Sequence, residues 1–168
     1  PLSWGRERTR FLLFLPSRGG VGMSASPHFI SPYILRSEFA CSCCNQLPFD
    51  YDENNPLPAF AALFIAFAGI RTAWGRPIPI NSGYRCPAHN AAVKGGPLSA
   101  HLFGLALDLA VTSPDELIAL KNTIISTRPL LRVGWKRYLA AGRNLVHIDT
   151  AYLVRPRPTA AFIEGMRW

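Results

Sequence analysis

Two histidines and an aspartate are the residues of this chain best suited to hold a metal. His101 precedes Asp108 by seven residues, with Gly104 between them, and His147 lies well downstream. Asp108 sits in an alternating run, Leu105-Ala106-Leu107-Asp108-Leu109-Ala110-Val111. Successive side chains of a strand point to opposite faces. Leu105, Leu107, Leu109 and Val111 are therefore expected to face a core, and Ala106, Asp108 and Ala110 the other side. A carboxylate among small apolar neighbours needs a partner, because burying a bare charge is expensive, and a metal cation is one such partner. Asn144-Leu145-Val146-His147-Ile148-Asp149-Thr150 alternates as well. That pattern turns Val146 and Ile148 inward and puts Leu145, His147 and Asp149 together on the opposite face. With the two strands near each other, His101, Asp108 and His147 converge. Two imidazoles and one carboxylate, with the fourth tetrahedral position left to water, form the ligand set of a catalytic zinc site; structural sites are usually closed by four protein ligands. The chemistry expected is metal-assisted hydrolysis, in which zinc lowers the pKa of its water toward ~7 and polarises a carbonyl.

Other polar residues surround this set. Asp149 lies two residues past His147 on the same strand face, roughly 6–7 Å along the strand. It fits two roles: a general base within reach of the water, or an acceptor that fixes a histidine tautomer. Arg85 follows a short strand, and its planar fork can pair bidentately with a carboxylate or stabilise developing negative charge. Tyr84 and Ser99 are grouped with Arg85 as substrate contacts, Ser99 also suiting a loop or cap. His89 reads as structural. Trp135, Tyr138 and Tyr152 read as core packing, with a groove wall as the alternative.

Periodicity supplies the elements that position these residues. Residues 57–74 carry Leu57, Phe60, Leu63, Phe64, Phe67, Ile70 and Trp74 at helical spacing. The run falls short of the ~20 apolar residues that span a bilayer, so it is expected as a central buried helix rather than a membrane anchor. Ile78 to Arg85 reads as a short strand leading into a loop, with Pro79 favouring an edge. Cys86 to Val93 reads as a helical turn with Pro87 at its first position. Ser113 as cap and Pro114 in the first turn start a helix that ends before Pro129. Ser37-Glu38-Phe39 opens a short helix, Asp50, Asp52 and Glu53 form a solvated acidic loop, and Leu131 to Trp135 is a strand or turn. The chain ends in Arg155-Pro156-Arg157-Pro158 and a short segment after it.

At 168 residues, one domain is the default, and that length buries a core without help from disulfides. Residues 1–22 differ from the rest. Arg6, Arg8 and Arg10 precede an apolar run too short for an export-signal core. They are read as an extension ahead of Met23, with residues 23–168 as the single domain. The formal charge of +8 implies solubility and weak attraction to polyanions, but no nucleic-acid motif accompanies it. Among the four cysteines, Cys41 and Cys44 have C-x-x-C spacing with no second pair to complete a four-thiolate site. Cys41, Cys43 and Cys44 are expected as a tight turn with small buried thiols, or with one bridge to Cys86 in an oxidising compartment.

Three motifs in order carry a family resemblance: Ser82-Gly83-Tyr84-Arg85-Cys86-Pro87-Ala88-His89-Asn90, then Ser99-x-His101 with Gly104 and Asp108, then His147-Ile148-Asp149. Ser37-Glu38-Phe39-Ala40-Cys41 and its following cysteines are similar to the usual start of the same domain. Together they resemble the M15 family of zinc peptidases, in particular its small D-alanyl-D-alanine carboxypeptidase-like branch. The resemblance implies an α+β fold shared with the hedgehog signalling domain: a small antiparallel sheet carrying one zinc, flanked by helices. It implies His101, Asp108 and His147 as zinc ligands, Arg85 near the substrate carboxylate or oxyanion, and peptidoglycan stem peptides as substrate. Several members place a glutamate three residues before the last histidine, where this chain has Asn144. An amide cannot take a proton from water, so either Asp149 does so or hydrolysis is impaired. The expected activity is that of a carboxypeptidase or an endolysin-type endopeptidase, acting as a monomer on the cell wall after export or lysis. The rival reading is a non-catalytic zinc-containing wall-binding or virion domain.

Overall fold

The computed structural model describes residues 29–48, 51–52, 58–153 and 164–168. The expected extension at 1–22, Leu57, Asp50 and Glu53 of the acidic loop, and Arg155 to Pro158 lie outside the described residues. The chain begins with a two-stranded antiparallel hairpin, β1 (Phe29–Ser31) and β2 (Ile34–Leu35), followed by the short helix α1 (Arg36–Phe39) and the long helix α2 (Pro58–Trp74). After β3 (Ile80–Ser82) come α3 (Pro87–Ala92), a 3-10 turn at Ala100–Phe103 and β4 (Ala106–Ala110). Helix α4 (Pro114–Thr127), β5 (Arg132–Gly134), α5 (Lys136–Ala140) and β6 (Leu145–Asp149) complete the order, with a second 3-10 turn at Ala151–Leu153. The fold is α+β, as the resemblance implies.

The main sheet has the order β3-β4-β6-β5, with every neighbouring pair antiparallel. β3 is an edge strand, as Pro79 suggests. Behind the sheet, α2 packs on α4. Phe60, Leu63, Phe67 and Ile70 of α2 join Leu117, Leu120 and Ile124 of α4 beneath Leu107, Leu109, Val146 and Ile148. Each such side chain contributes about 1.5–3 kcal/mol on leaving water, so this layer is what holds the strands in place. One expectation changes here. Helix α2 is buried on one face only, and Ile65 is 66% exposed. No helix among the described residues is long and apolar enough to cross a membrane. Ser113 caps α4 by accepting from the Glu116 N–H at 3.1 Å, the start signal expected from its sequence.

Both faces of β4 and β6 are covered. The polar face carries Asp108, His147 and Asp149, all buried. Register decides which of these meet: Asp108 pairs with His147, Ala106 with Asp149, Arg132 with Asp149, and Gly134 with His147. The short segment 164–168 lies along β5, with Val133 N donating to Met166 O at 2.9 Å and Trp168 N to Val133 O at 3.1 Å. Gly134 makes room for it, because a Cβ there would sit 2.5 Å from the Trp168 indole nitrogen.

Candidate active site

Opposite residues of an antiparallel pair place their side chains side by side. The Asp108–His147 pairing therefore brings His147 Nδ1 to 2.8 Å from Asp108 Oδ1. His101 arrives from the 3-10 turn, its Nε2 lying 3.2 Å from Asp108 Oδ1 and 3.2 Å from His147 Nδ1. One ligand atom from each of the three lies within 4.8 Å of the others.

Each imidazole is oriented from behind. His101 Nδ1 lies 2.6 Å from the Gly83 carbonyl, which can only accept. Nδ1 is therefore the donor, and Nε2 turns its lone pair to the centre. Gly83 can offer that carbonyl because its backbone runs against Phe39; a Cβ there would stand 2.5 Å from Phe39 O. His147 Nε2 donates to Asp149 Oδ2 at 3.0 Å. Asp149 Oδ1 in turn accepts from Arg132 Nη1 and from Ala151 N, each at 3.0 Å. A partner on the remote nitrogen fixes the tautomer and raises the basicity of a ligating histidine.

Of the two roles open to Asp149, this geometry favours the acceptor that orients a histidine. Asp149 does not face the converging ligand atoms. It shares a strand face with His147, and the imidazole stands between it and Asp108, so its carboxylate engages the far side of the ring.

The electrostatics favour positive charge at the centre. Burial works to raise the Asp108 pKa, but the His101 and His147 imidazoles against it hold it well below the ordinary carboxylate value. Burial works to lower His147, yet the two carboxylates on its nitrogens raise it to about 9. For His101, burial dominates and lowers the pKa despite Asp108. Two ring nitrogens and a carboxylate oxygen thus aim at one point. Such a donor set fits a divalent metal ion of the kind that takes nitrogen and oxygen ligands.

Two more groups touch Asp108. Arg85 donates from Nη2 to Oδ2, with its Nε on Ser82 Oγ at 2.9 Å. The Tyr138 hydroxyl donates to Oδ1 at 3.2 Å, and burial together with Asp108 pushes its pKa up to about 12. A cavity of about 720 Å³ opens over His101 and His147, lined also by Arg85, Ser99, Trp135, Tyr138, Asp149 and Trp168. A second, of about 360 Å³, adjoins Asp108 and shares Arg85 and Tyr138 with the first.

The model of the family described as peptidase M15 matches residues 32–149. The chain belongs to the peptidase M15 family. No curated protein matches it. Members of this family are metal-dependent peptidases, and the converging histidines and aspartate lie inside the matched segment of this one.

Of the residues singled out in the peptidase sequence, His101, Asp108, His147, Arg85 and Asp149 are brought together, and Ser99 lines the larger cavity. Tyr84 lines neither cavity, and its backbone N–H bonds to Phe39 O at 2.7 Å. Asn144 also lines neither; its carbonyl accepts from Val111 N at 3.0 Å. His89, read as structural, lines the smaller cavity. Trp135 and Tyr138, read as packing, are cavity wall. Sequence reading missed Arg132 and Trp168. A charged residue within the apolar run Leu131-Arg132-Val133 was a usable signal, since an inward arginine requires an acidic partner. Trp168 carried none, being beyond the matched segment and joined to β5 only through tertiary pairing.

Proposed function

We propose that this M15 peptidase is a zinc enzyme that hydrolyses peptide bonds in peptidoglycan stem peptides. The observation that carries the reading is the convergence of His101 Nε2, Asp108 Oδ1 and His147 Nδ1 on one point, with both imidazoles oriented from behind. These three residues would hold the ion. When bound, zinc supplies Lewis acidity that activates water and polarises the scissile carbonyl.

The chain's own residues do the rest. Gly83 and Asp149 keep the two rings turned to the centre. Arg85 neutralises Asp108 and presents its remaining N–H donors to the cavities, where a guanidinium suits a substrate carboxylate or a developing oxyanion. Tyr138 stays protonated at neutral pH, given its raised pKa, so it is a hydrogen-bond donor and not a base. Asp149 is a positioning residue that acts through His147. The smaller cavity is lined by Arg85, Lys94, Arg137 and Arg143, a basic wall that suits peptides carrying several carboxylates, as stem peptides do. Access to the wall after export or lysis belongs to the same proposal.

A second reading rests on one observation. Among the described residues the carboxylates nearest the centre, Asp108 and Asp149, are both engaged, and residue 144 is asparagine, which leaves proton transfer without a dedicated carboxylate base there. On that reading the domain binds stem peptides without cutting them. Incubating purified muropeptides with the zinc-loaded protein, with and without a chelator, and weighing the products separates the two. Chelator-sensitive cleavage supports the enzyme and identifies the bond. Intact muropeptides that nonetheless co-sediment with the protein support the binding module. Cleavage that survives chelation overturns the zinc mechanism.

A further inference from the structure

We propose that Cys41, Cys43, Cys44 and Cys86 hold a second metal ion, a structural zinc, which clamps the loop bearing Gly83 and Arg85 onto the turn that follows α1. The inference is independent of the reaction proposed above. In sequence these thiols lack a second C-x-x-C pair, and a tight turn of small buried thiols was expected. The turn forms, with Asn45 N donating to Cys41 O at 2.7 Å and Asn45 in the left-handed region at φ 56°. Burial, however, holds for Cys41 alone; Cys43 and Cys44 are exposed. The fold then brings Cys86 to them from across β3.

The Sγ atoms of all four lie within 4.8 Å of one another. Cys43 Sγ stands 3.5 Å from Cys41 Sγ and 3.4 Å from Cys86 Sγ. Those separations are far longer than a disulfide bond of ~2.05 Å. They fall a few tenths of an ångström short of the edges of a tetrahedron built on zinc–sulfur bonds of ~2.3 Å, about 3.8 Å. Backbone amides are already turned to the sulfurs: Cys86 N donates to Cys41 Sγ at 3.3 Å and His89 N to Cys86 Sγ at 3.4 Å. Amide donors of this kind stabilise thiolates, the form that binds metal. Four thiolates close the coordination shell, so the site is structural and not catalytic.

Its position gives it a purpose. Residues just before Cys41 and just before Cys86 make the contacts that build the back of the active site. Tyr84 N bonds to Phe39 O at 2.7 Å, Arg85 N to His101 O at 3.0 Å, and His101 Nδ1 to the Gly83 carbonyl. An ion joining residues 41–44 to residue 86 would fasten the segment that follows Phe39 to the one that follows Arg85.

Metal analysis of protein purified in reductant without chelator tests this. Wild type is expected to carry about two zinc ions per chain. Cys86→Ser and Cys43→Ser should each lose one and retain the ion that His147→Ala removes. If wild type holds a single zinc that Cys86→Ser abolishes and His147→Ala leaves, this proposal stands and the metal assignment at His101, Asp108 and His147 fails instead. Cobalt(II) titration of the reduced wild-type chain needs no variant to fold, and it should produce a thiolate-to-cobalt charge-transfer band in the near ultraviolet. The absence of that band overturns the proposal. So does a metal content unchanged by Cys86→Ser, or a Cys43–Cys86 disulfide in the freshly isolated protein.

Discussion

Replacing Asp149 with asparagine probes how the metal-facing nitrogen of His147 is chosen. The carboxylate serves three donors with two oxygens: His147 Nε2 on one, and Arg132 Nη1 and Ala151 N on the other, each at 3.0 Å. Asparagine has the same shape but a single acceptor. If its oxygen stays with Arg132 and Ala151, its NH2 meets the His147 Nε2–H. The ring must then shift its proton to Nδ1, the nitrogen that faces Asp108 and His101. If the oxygen turns to His147, the NH2 confronts a guanidinium and an amide. Either way at least one charge-assisted hydrogen bond is lost, about 1.5–3 kcal/mol. At about 1.4 kcal/mol per tenfold, zinc affinity should fall roughly 10–100-fold, the range seen when such a partner is removed from a ligating histidine. The assay is competition for zinc against a chromophoric chelator, with circular dichroism reporting the fold. Arg132→Met is the companion variant. It leaves the His147–Asp149 contact in place, so it should lower thermal stability while changing zinc affinity less than Asp149→Asn does. An Asp149→Asn chain that folds and binds zinc within twofold of wild type would refute the argument.

Trp168 stacks over Arg132 at 4.7 Å and lies 5.4 Å, centroid to centroid, from the His147 ring. Trp168→Ala should raise KM for a stem peptide with zinc content unchanged, and an unaltered KM removes the indole from the substrate wall. Ser113→Ala deletes the α4 cap at a cost of about 1 kcal/mol. For a chain of this size that lowers Tm by about 2–4 °C, and an unmoved melting curve counts against the cap. Glu116 accepts from the Thr112 hydroxyl and N–H, and Arg76 adds to this, so its pKa lies below the ordinary value. Its stabilising share is complete above the ordinary carboxylate pKa and is lost as pH falls through the lowered folded value. Melting curves of wild type and Glu116→Gln should therefore converge in acid; a gap that stays constant with pH contradicts the linkage.

Much of the architecture was legible locally. The helical repeat of α2, the Ser113-Pro114 start of α4, and the period-two alternation around Asp108 and His147 each depend on a few neighbouring residues. Alternation alone put Asp108 and His147 on the polar faces of their strands, because a strand's side-chain faces are set by its own backbone; His101, on a 3-10 turn, was marked instead by its spacing before Asp108. Asp149 shows where that reasoning ends. Alternation placed it on the right face but could not say that the imidazole would stand between it and the centre. Helix α5, and with it the Tyr138 hydrogen bond to Asp108, escaped for a similar reason: five residues form too short a run to show a periodic face.

What the chain alone determined is which side chains share a face and where helices begin, since propensity and periodicity act over a turn or two. What only the tertiary structure decided is which distant faces meet. The register of β4 on β6 sets Asp108 against His147, that of β5 on β6 gives Asp149 its arginine, and the close approach of Gly83 to Phe39 carries Cys86 to the other three thiols. Register and approach are settled by packing the whole core at once, and no local stretch of sequence contains that information.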